Sequence, residues 1–315
     1  MKILVWGAGV IGTIYAGRFQ HAGHQVTVLA RSSRLADIRR HGLILQDVAS
    51  GAQLATRTEV VEQLSAEEVY DMALITVRWG QLGEIMPGLI ANKKIPAVVF
   101  MLNNPLGSAA LVEALGADRV ILGFPGAGGM LEGHTVHYAL IAQQPTTIGE
   151  PGGHLTSRLR ALAEDLRASG FKTRMDSDMN SWLLCHAFFV SAVSGAIYLA
   201  GGSCEQLSHS QTILNLMVRG VREGFHAARL RDYAIRPSPL MVLFSWLPRP
   251  FAVYYWRRFF SNPMSEYVFA RHVRHASLEM RALAAECQML VDKSGITAPA
   301  LHQLYRAIDD FVAVK

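Results

Sequence analysis

Short apolar runs alternate with stretches of helical spacing along the first half of the chain. Met1–Trp6 (MKILVW) reads as a strand, and an apolar helix pattern runs from Ile14 to Phe19. Gln25–Arg31 alternates as a half-buried strand does, and Leu43–Gln46 and Gln53–Thr58 predict short strands around a turn at Gly51. Asp71–Val77, Pro96–Leu102 and Val120–Phe124 are apolar runs of strand length. Helical spacing covers Gln81–Ala91, Pro105–Leu115 and Leu155–Ser169. His134–Ile141 and Thr146–Gly149 read as strands that finish the sheet, with a last strand at Phe171–Met175. Repeated β-α units favour an α/β fold with a doubly wound, mostly parallel sheet.

After Asp178 the pattern becomes helical throughout. Met179–Leu199, Ser208–Ala228 and Pro263–Ser294 carry it, and a final helix follows Pro299, a residue suited to a first turn. The expected organisation is a nucleotide-binding domain over residues 1–177 and an all-helical substrate or dimerisation domain over 178–315, with the site in the cleft between them.

The first turn narrows the chemistry. Gly7-Ala8-Gly9-Val10-Ile11-Gly12 follows the first strand at once and opens the first helix. Strand, G-x-G-x-x-G, helix is the Rossmann-type dinucleotide fingerprint. Gly7 permits the tight turn, Gly9 lets the backbone approach a pyrophosphate, and Gly12 lets helix and strand pack closely. The pyrophosphate would sit on free N–H groups at the positive end of the helix. An NAD site carries Asp or Glu at the end of the second strand, to hold the ribose 2′-hydroxyl. This chain has Arg31, Ser32, Ser33 and Arg34 there, which suits a 2′-phosphate and favours NADP(H). The competing reading is a solvated, basic loop.

At 315 residues, half of them hydrophobic and only 17% charged, the chain can bury a large core and is not disordered. The net charge of +5 comes without any nucleic-acid motif, and an anionic cofactor accounts for the basic group at Arg31–Arg40. Cys185, Cys204 and Cys287 show no metal-ligand spacing, so no metal site and no disulfide framework are expected, and a reducing cytoplasm is the simplest setting. Met179–Cys204 holds no Asp, Glu, Lys or Arg and is long enough to span a bilayer. Its polar residues and paired Gly201-Gly202 favour a buried helix, so no membrane partner is expected. Leu240–Trp256, broken by Pro248 and Pro250, fits a dimer face, a substrate lid or core equally well.

Architecture and motifs together resemble the ketopantoate reductase family over nearly the whole chain. KILVWGAGVIG and VLAR fit the family's cofactor domain. Thr76-Val77-Arg78 stands where the family has T-x-K, so the resemblance implies a cofactor-phosphate contact for Arg78, against a plain strand-end arginine. Asn104 of Asn103-Asn104-Pro105-Leu106-Gly107 matches the family asparagine near nicotinamide and substrate, although Pro105 replaces the following glycine. The bland alternative is a helix cap. Glu279 matches the family glutamate that orients catalytic groups, with Gly295-Ile296-Thr297-Ala298-Pro299 at the family spacing. Against this, Leu184 stands at the place of the family's general-acid lysine, and Phe188 and Ala192 at the places of its two asparagines. A substitute proton donor would be His186, or Glu279 paired with His275 four residues earlier, near Tyr267 and His272. His186 is equally a core histidine. The resemblance implies hydride transfer between NADP(H) and a small carbonyl or hydroxy substrate, in a possible homodimer. A non-catalytic NADP(H)-binding sensor is the alternative that loss of the lysine would leave.

Overall fold

The computed structural model describes residues 1–314, apart from the side chains of Val268 and His272. It divides into two units: Met1–Leu102 with Ser108–Met179, and Asn103–Gly107 with the chain from Asn180 onward. The five-residue segment Asn103–Gly107 thus leaves the sheet-bearing unit and groups with the helical one.

The first unit holds twelve strands. These are β1 (Lys2–Trp6), β2 (Gln25–Leu29), β3 (Leu43–Asp47), β4 (Gln53–Thr56), β5 (Glu59–Val61) and β6 (Met72–Ile75). β7 (Val98–Met101), β8 (Val120–Phe124), β9 (Ala127–Glu132), β10 (Thr135–Leu140), β11 (Thr146–Gly149) and β12 (Thr173–Met175) follow. Eight form the main sheet in the order β12-β11-β8-β7-β6-β1-β2-β5, parallel except where β11 meets β8. Six of them, β5-β2-β1-β6-β7-β8, run third-second-first-fourth-fifth-sixth in chain order. That is the doubly wound dinucleotide order, and it reverses between β1 and β6. The α/β architecture read from the sequence therefore stands.

Two readings change. Thr146–Gly149 joins the main sheet, but His134–Ile141 does not finish it. Its core, β10, pairs with β3 and β9 in a separate four-stranded sheet, β4-β3-β10-β9. The Val10–His21 helix lies between the two sheets, so Ile14, Tyr15, Ala16 and Phe19 are all fully buried and the helix shows little periodicity. A Cβ on Gly17 would come within 2.7 Å of Leu45 Cδ1, which measures how closely β3 approaches. The basic stretch after β2 is a helix, Ser32–His41, not a loop. Only Leu35 and Ile38 of it are buried, too few to mark a helical period.

The helical unit is organised around Met179–Leu199. This is the one helix among the described residues long and apolar enough to cross a membrane, and 89% of its most apolar window is buried within the protein. It is a core helix. Phe188 packs on Gly224 of the Gln211–Arg229 helix, where a Cβ would lie 2.6 Å from Phe188 Cδ1. Glu223 of the same helix accepts from Leu301 N at 2.9 Å and caps the Pro299–Ala313 helix. The Leu240–Trp256 stretch is broken as expected: Leu247 and Pro248 leave helical geometry, and a new helix, Arg249–Phe260, starts with Pro250 in its first turn. Phe244 and Trp256 enter the core, whereas Trp246, Phe251 and Tyr254 stay exposed. The expected Pro263–Ser294 helix is broken. A π-helical turn occupies Glu266–Ala270, and Ala276 leaves helical geometry (φ −106°, ψ 29°) between Arg271–His275 and Ser277–Ser294.

Candidate active site

In the sheet-bearing unit the glycine turn sits where the strand order reverses. Gly7 has φ +113°, a conformation that favours glycine, and its N–H donates to Leu29 O at 3.2 Å. Thr76, one residue past β6, donates its hydroxyl to Gly7 O at 2.8 Å. A Cβ on Gly12 would lie 1.8 Å from Gly7 O and 2.6 Å from Thr76 Oγ1. Gly7 and Gly12 are therefore required by the chain's own packing. Gly9 is not: its φ of −71° suits any residue, and a Cβ there would meet nothing within 4 Å. It caps the Val10–His21 helix, and no side chain caps that end. The first-turn N–H groups of Val10, Ile11 and Gly12 have no carbonyl within the helix to bond. A bare helix start beside an open glycine fits a dinucleotide pyrophosphate, and Ala8 lines the same turn.

The basic residues after β2 separate into two roles. Arg34 is tied down. Its Nε donates to Ala8 O at 3.0 Å, its Nη2 to Thr13 Oγ1 at 3.1 Å, and its Nη1 pairs with Asp37. It holds the glycine turn rather than facing a ligand. Arg31 immediately precedes the Ser32–His41 helix and, among the described residues, pairs with Glu84 at 3.5 Å, with both side chains more than half exposed. A pair that long and that wet holds Arg31 weakly. Arg78 lies two residues beyond Thr76, exposed, its N–H donating to Gln81 Oε1 at 3.2 Å.

The helical unit carries the other candidates. Asn104 is 1% exposed and donates from Nδ2 to Gly107 O at 2.7 Å, closing its own turn. The following helix, Ala109–Leu115, is preceded by Ser108, so Asn104 does not cap it. The neighbouring Asn103 donates from Nδ2 to Glu279 Oε1 at 3.5 Å. The Oδ1 atoms of both asparagines are buried and lack a hydrogen-bond partner among the described residues. Two orphaned acceptors beside a carboxylate suit a ligand with N–H or O–H donors. Asn103 was not among the residues singled out from the sequence. Its signal was its place beside Asn104 in a turn that ends a buried strand.

The other expected proton donors are placed differently. His275 ends a short helix, is exposed, and has its Nδ1 2.8 Å from Arg271 O. The break at Ala276 separates it from the helix of Glu279, so the four-residue spacing does not put the two on one helix face. Tyr267 lies under the Arg271 guanidinium, 4.7 Å from the ring centroid. The side chain of His272 lies outside the described residues. His186 is 4% exposed and stacked on Trp182 with centroids 4.9 Å apart. Burial holds its pKa down to about 3. A ring neutral and enclosed at pH 7 cannot offer an imidazolium proton. Leu184, Phe188 and Ala192 are each at most 1% exposed, inside the core of the helical unit. All three cysteines are buried, and burial pushes the thiols of Cys204 and Cys287 up to about 12, far from nucleophilic use.

His186 has a consequence for acid stability. Its pKa falls on folding from 6.5 to about 3, so the unfolded chain takes up the proton first. The protein loses stability as pH drops below about 6.5 and goes on losing it down to about 3. At pH 5 the loss from this ring alone is about 2 kcal/mol relative to pH 7. Urea unfolding of His186→Phe at pH 7 and pH 5 should show that much less acid sensitivity than the parent. An unchanged difference would mean the ring is solvated.

Comparisons with known proteins fit this geometry. Residues 3–153 match the family model described as ketopantoate reductase PanE/ApbA. A 2-dehydropantoate 2-reductase of Aquifex aeolicus is 25% identical over 243 residues, 73% of this chain and 74% of that one. Among solved structures, a D-mandelate dehydrogenase with NADH and anilino(oxo)acetate superposes with a TM-score of 0.79 at 16% identity, covering 99% of this chain and 98% of that one. A 2-dehydropantoate 2-reductase of Geobacter metallireducens GS-15 does so at 0.77 and 18%, covering 98% and 99%. At such identities the superpositions establish the fold.

Proposed function

We propose that this chain, whose residues 3–153 match the ketopantoate reductase PanE/ApbA family model, is an NADP(H)-dependent oxidoreductase acting on a small carbonyl or hydroxy compound that need not be ketopantoate. The observation that carries this reading is the glycine turn at the strand-order reversal, with Gly9 open and the helix start uncapped. When bound, the nicotinamide supplies or accepts the hydride at the substrate carbon. Every other role falls to the chain. Gly7 shapes the turn, and the backbone N–H groups of Ala8, Gly9, Val10, Ile11 and Gly12 face the pyrophosphate. Arg31 turns from Glu84 to a 2′-phosphate, and Arg78 adds charge beside the phosphates. Asn104 Oδ1 and Asn103 Oδ1 accept hydrogen bonds from ligand donors. Glu279, accepting from the Asn103 amide, relays the proton that must accompany the hydride. His186 belongs to the core and takes no part.

The test begins with NADPH binding to the purified protein, followed by loss of NADPH absorbance against a panel of 2-oxo acids and other carbonyl compounds. Turnover of at least one compound, lost in Glu279→Gln, supports the proposal. Tight binding with no turnover across the panel would instead favour a cofactor sensor. Arg31→Ala should weaken NADPH about tenfold or more and leave NADH nearly unchanged, a charge-assisted phosphate contact being worth about 1.5–3 kcal/mol. Equal losses for both cofactors would remove the case for a 2′-phosphate.

A further inference from the structure

A second cluster lies on the far end of the Ser32–His41 helix, away from its first turn. Asp37 and His41 are four residues apart and share a helix face, and His134 comes from the turn between β9 and β10. His41 Nδ1 lies 3.1 Å from Asp37 Oδ1, and His134 Nδ1 contacts the same oxygen. The two imidazoles stack, with centroids 3.8 Å apart and planes at 21°. One ligand atom from each of the three residues falls within 4.8 Å of the others. The other carboxylate oxygen, Oδ2, is taken by Arg34. Oδ1 is thus the oxygen left facing the two rings.

We propose that Asp37, His41 and His134 form a binding site for a divalent transition metal of the zinc class, pinning the Ser32–His41 helix to the β9–β10 turn. Two imidazole nitrogens and one carboxylate oxygen are a donor set for Zn²⁺, Co²⁺ or Ni²⁺, not for Mg²⁺ or Ca²⁺. Tetrahedral zinc, with bonds of about 2.0–2.2 Å, needs its ligand atoms a little over 3 Å apart. The two stacked rings must unstack and turn so that both Nδ1 lone pairs point at the ion. A carboxylate oxygen can only accept, so each Nδ1 carries a proton in the metal-free state. Coordination through Nδ1 displaces that proton, which moves to Nε2 or leaves to solvent. His134 is half exposed, with 54% of its side chain accessible, which leaves a fourth position open to water. The neighbouring Arg34 guanidinium opposes a second positive charge, so the affinity is modest for a zinc site. The residues are 37, 41 and 134 in sequence, and no local motif announces them.

The proposal does not depend on the oxidoreductase reading. Its test uses the full chain without a polyhistidine tag, freed of metal with a chelator. Titration with Co²⁺ should produce the visible absorption of a tetrahedral cobalt centre at about one ion per chain. Saturating Zn²⁺ should raise Tm by about 5 °C. Both responses should vanish in His134→Ala and in His41→Ala. Both should persist in His209→Ala, which removes a histidine from another element. His134 lies in a turn, so its loss leaves the fold standing, and Tm of the metal-free variant checks this. Cobalt absorption and zinc stabilisation that survive in both His variants would overturn the site, as would their absence in the parent protein.

Discussion

Replacing Gly9 with alanine is expected to leave stability within about 1 kcal/mol of the parent and to weaken NADPH binding by ten- to a hundredfold, about 1.4–2.8 kcal/mol. The two halves have separate causes. In the free chain a Cβ at Gly9 enters open space, and the backbone there is already in a conformation alanine adopts. Alanine is a poorer helix cap than glycine, but it also restricts the unfolded chain, and these small terms oppose each other. In the proposed cofactor site, the methyl group takes the space a pyrophosphate would need. Gly12→Ala should behave in the opposite order. Its Cβ would fall 1.8 Å from Gly7 O, which is backbone and cannot swing aside. Helix and strand must then separate, at a cost of about 3 kcal/mol or more, and cofactor binding fails because the turn has failed. Thermal unfolding with isothermal titration of NADPH on both variants distinguishes them. A Gly9→Ala protein that binds NADPH as tightly as the parent would place the pyrophosphate elsewhere.

The contrast between Gly9 and Gly12 also shows how far the sequence could be read. The fingerprint, the β-α alternation and the buried helix Met179–Leu199 depend on local spacing, and local spacing is visible in one dimension. What escaped depends on contacts between distant segments. The Ser32–His41 helix buries two residues and so carries no period, yet it decides that Arg34 supports the turn while Arg31 stays exposed. β10 has an ordinary strand pattern, and nothing local tells which sheet it joins. The break at Ala276 removes a pairing of His275 with Glu279 that helical spacing had suggested. The Asn103 amide reaches Glu279 across 176 positions of sequence.

Leu184→Lys is expected to destabilise the protein by at least about 3 kcal/mol and to confer no reductase activity. By family resemblance this position should carry the general-acid lysine, so the substitution would look like a repair. The packing argues otherwise. Leu184 is 1% exposed, and Phe188, one turn on, lies against Gly224 with no room for a methyl group between them. A charged amine placed there would sit in the apolar core of the helical unit. It must either lose its proton or pull the helix from its neighbours. Leu184→Met, nearly equal in volume, should cost less than about 1.5 kcal/mol and separates a packing fault from a charge fault. Chemical unfolding of both variants, with NADPH turnover on ketopantoate, decides the matter. If the lysine variant folds as stably as the parent and gains ketopantoate reduction, this face of the helix lines the site and the missing lysine is what separates the chain from ketopantoate reduction. If it unfolds while the methionine variant does not, this face belongs to the core. The proton must then be handled elsewhere, and the Asn103–Glu279 pair is where the structure offers a carboxylate for it.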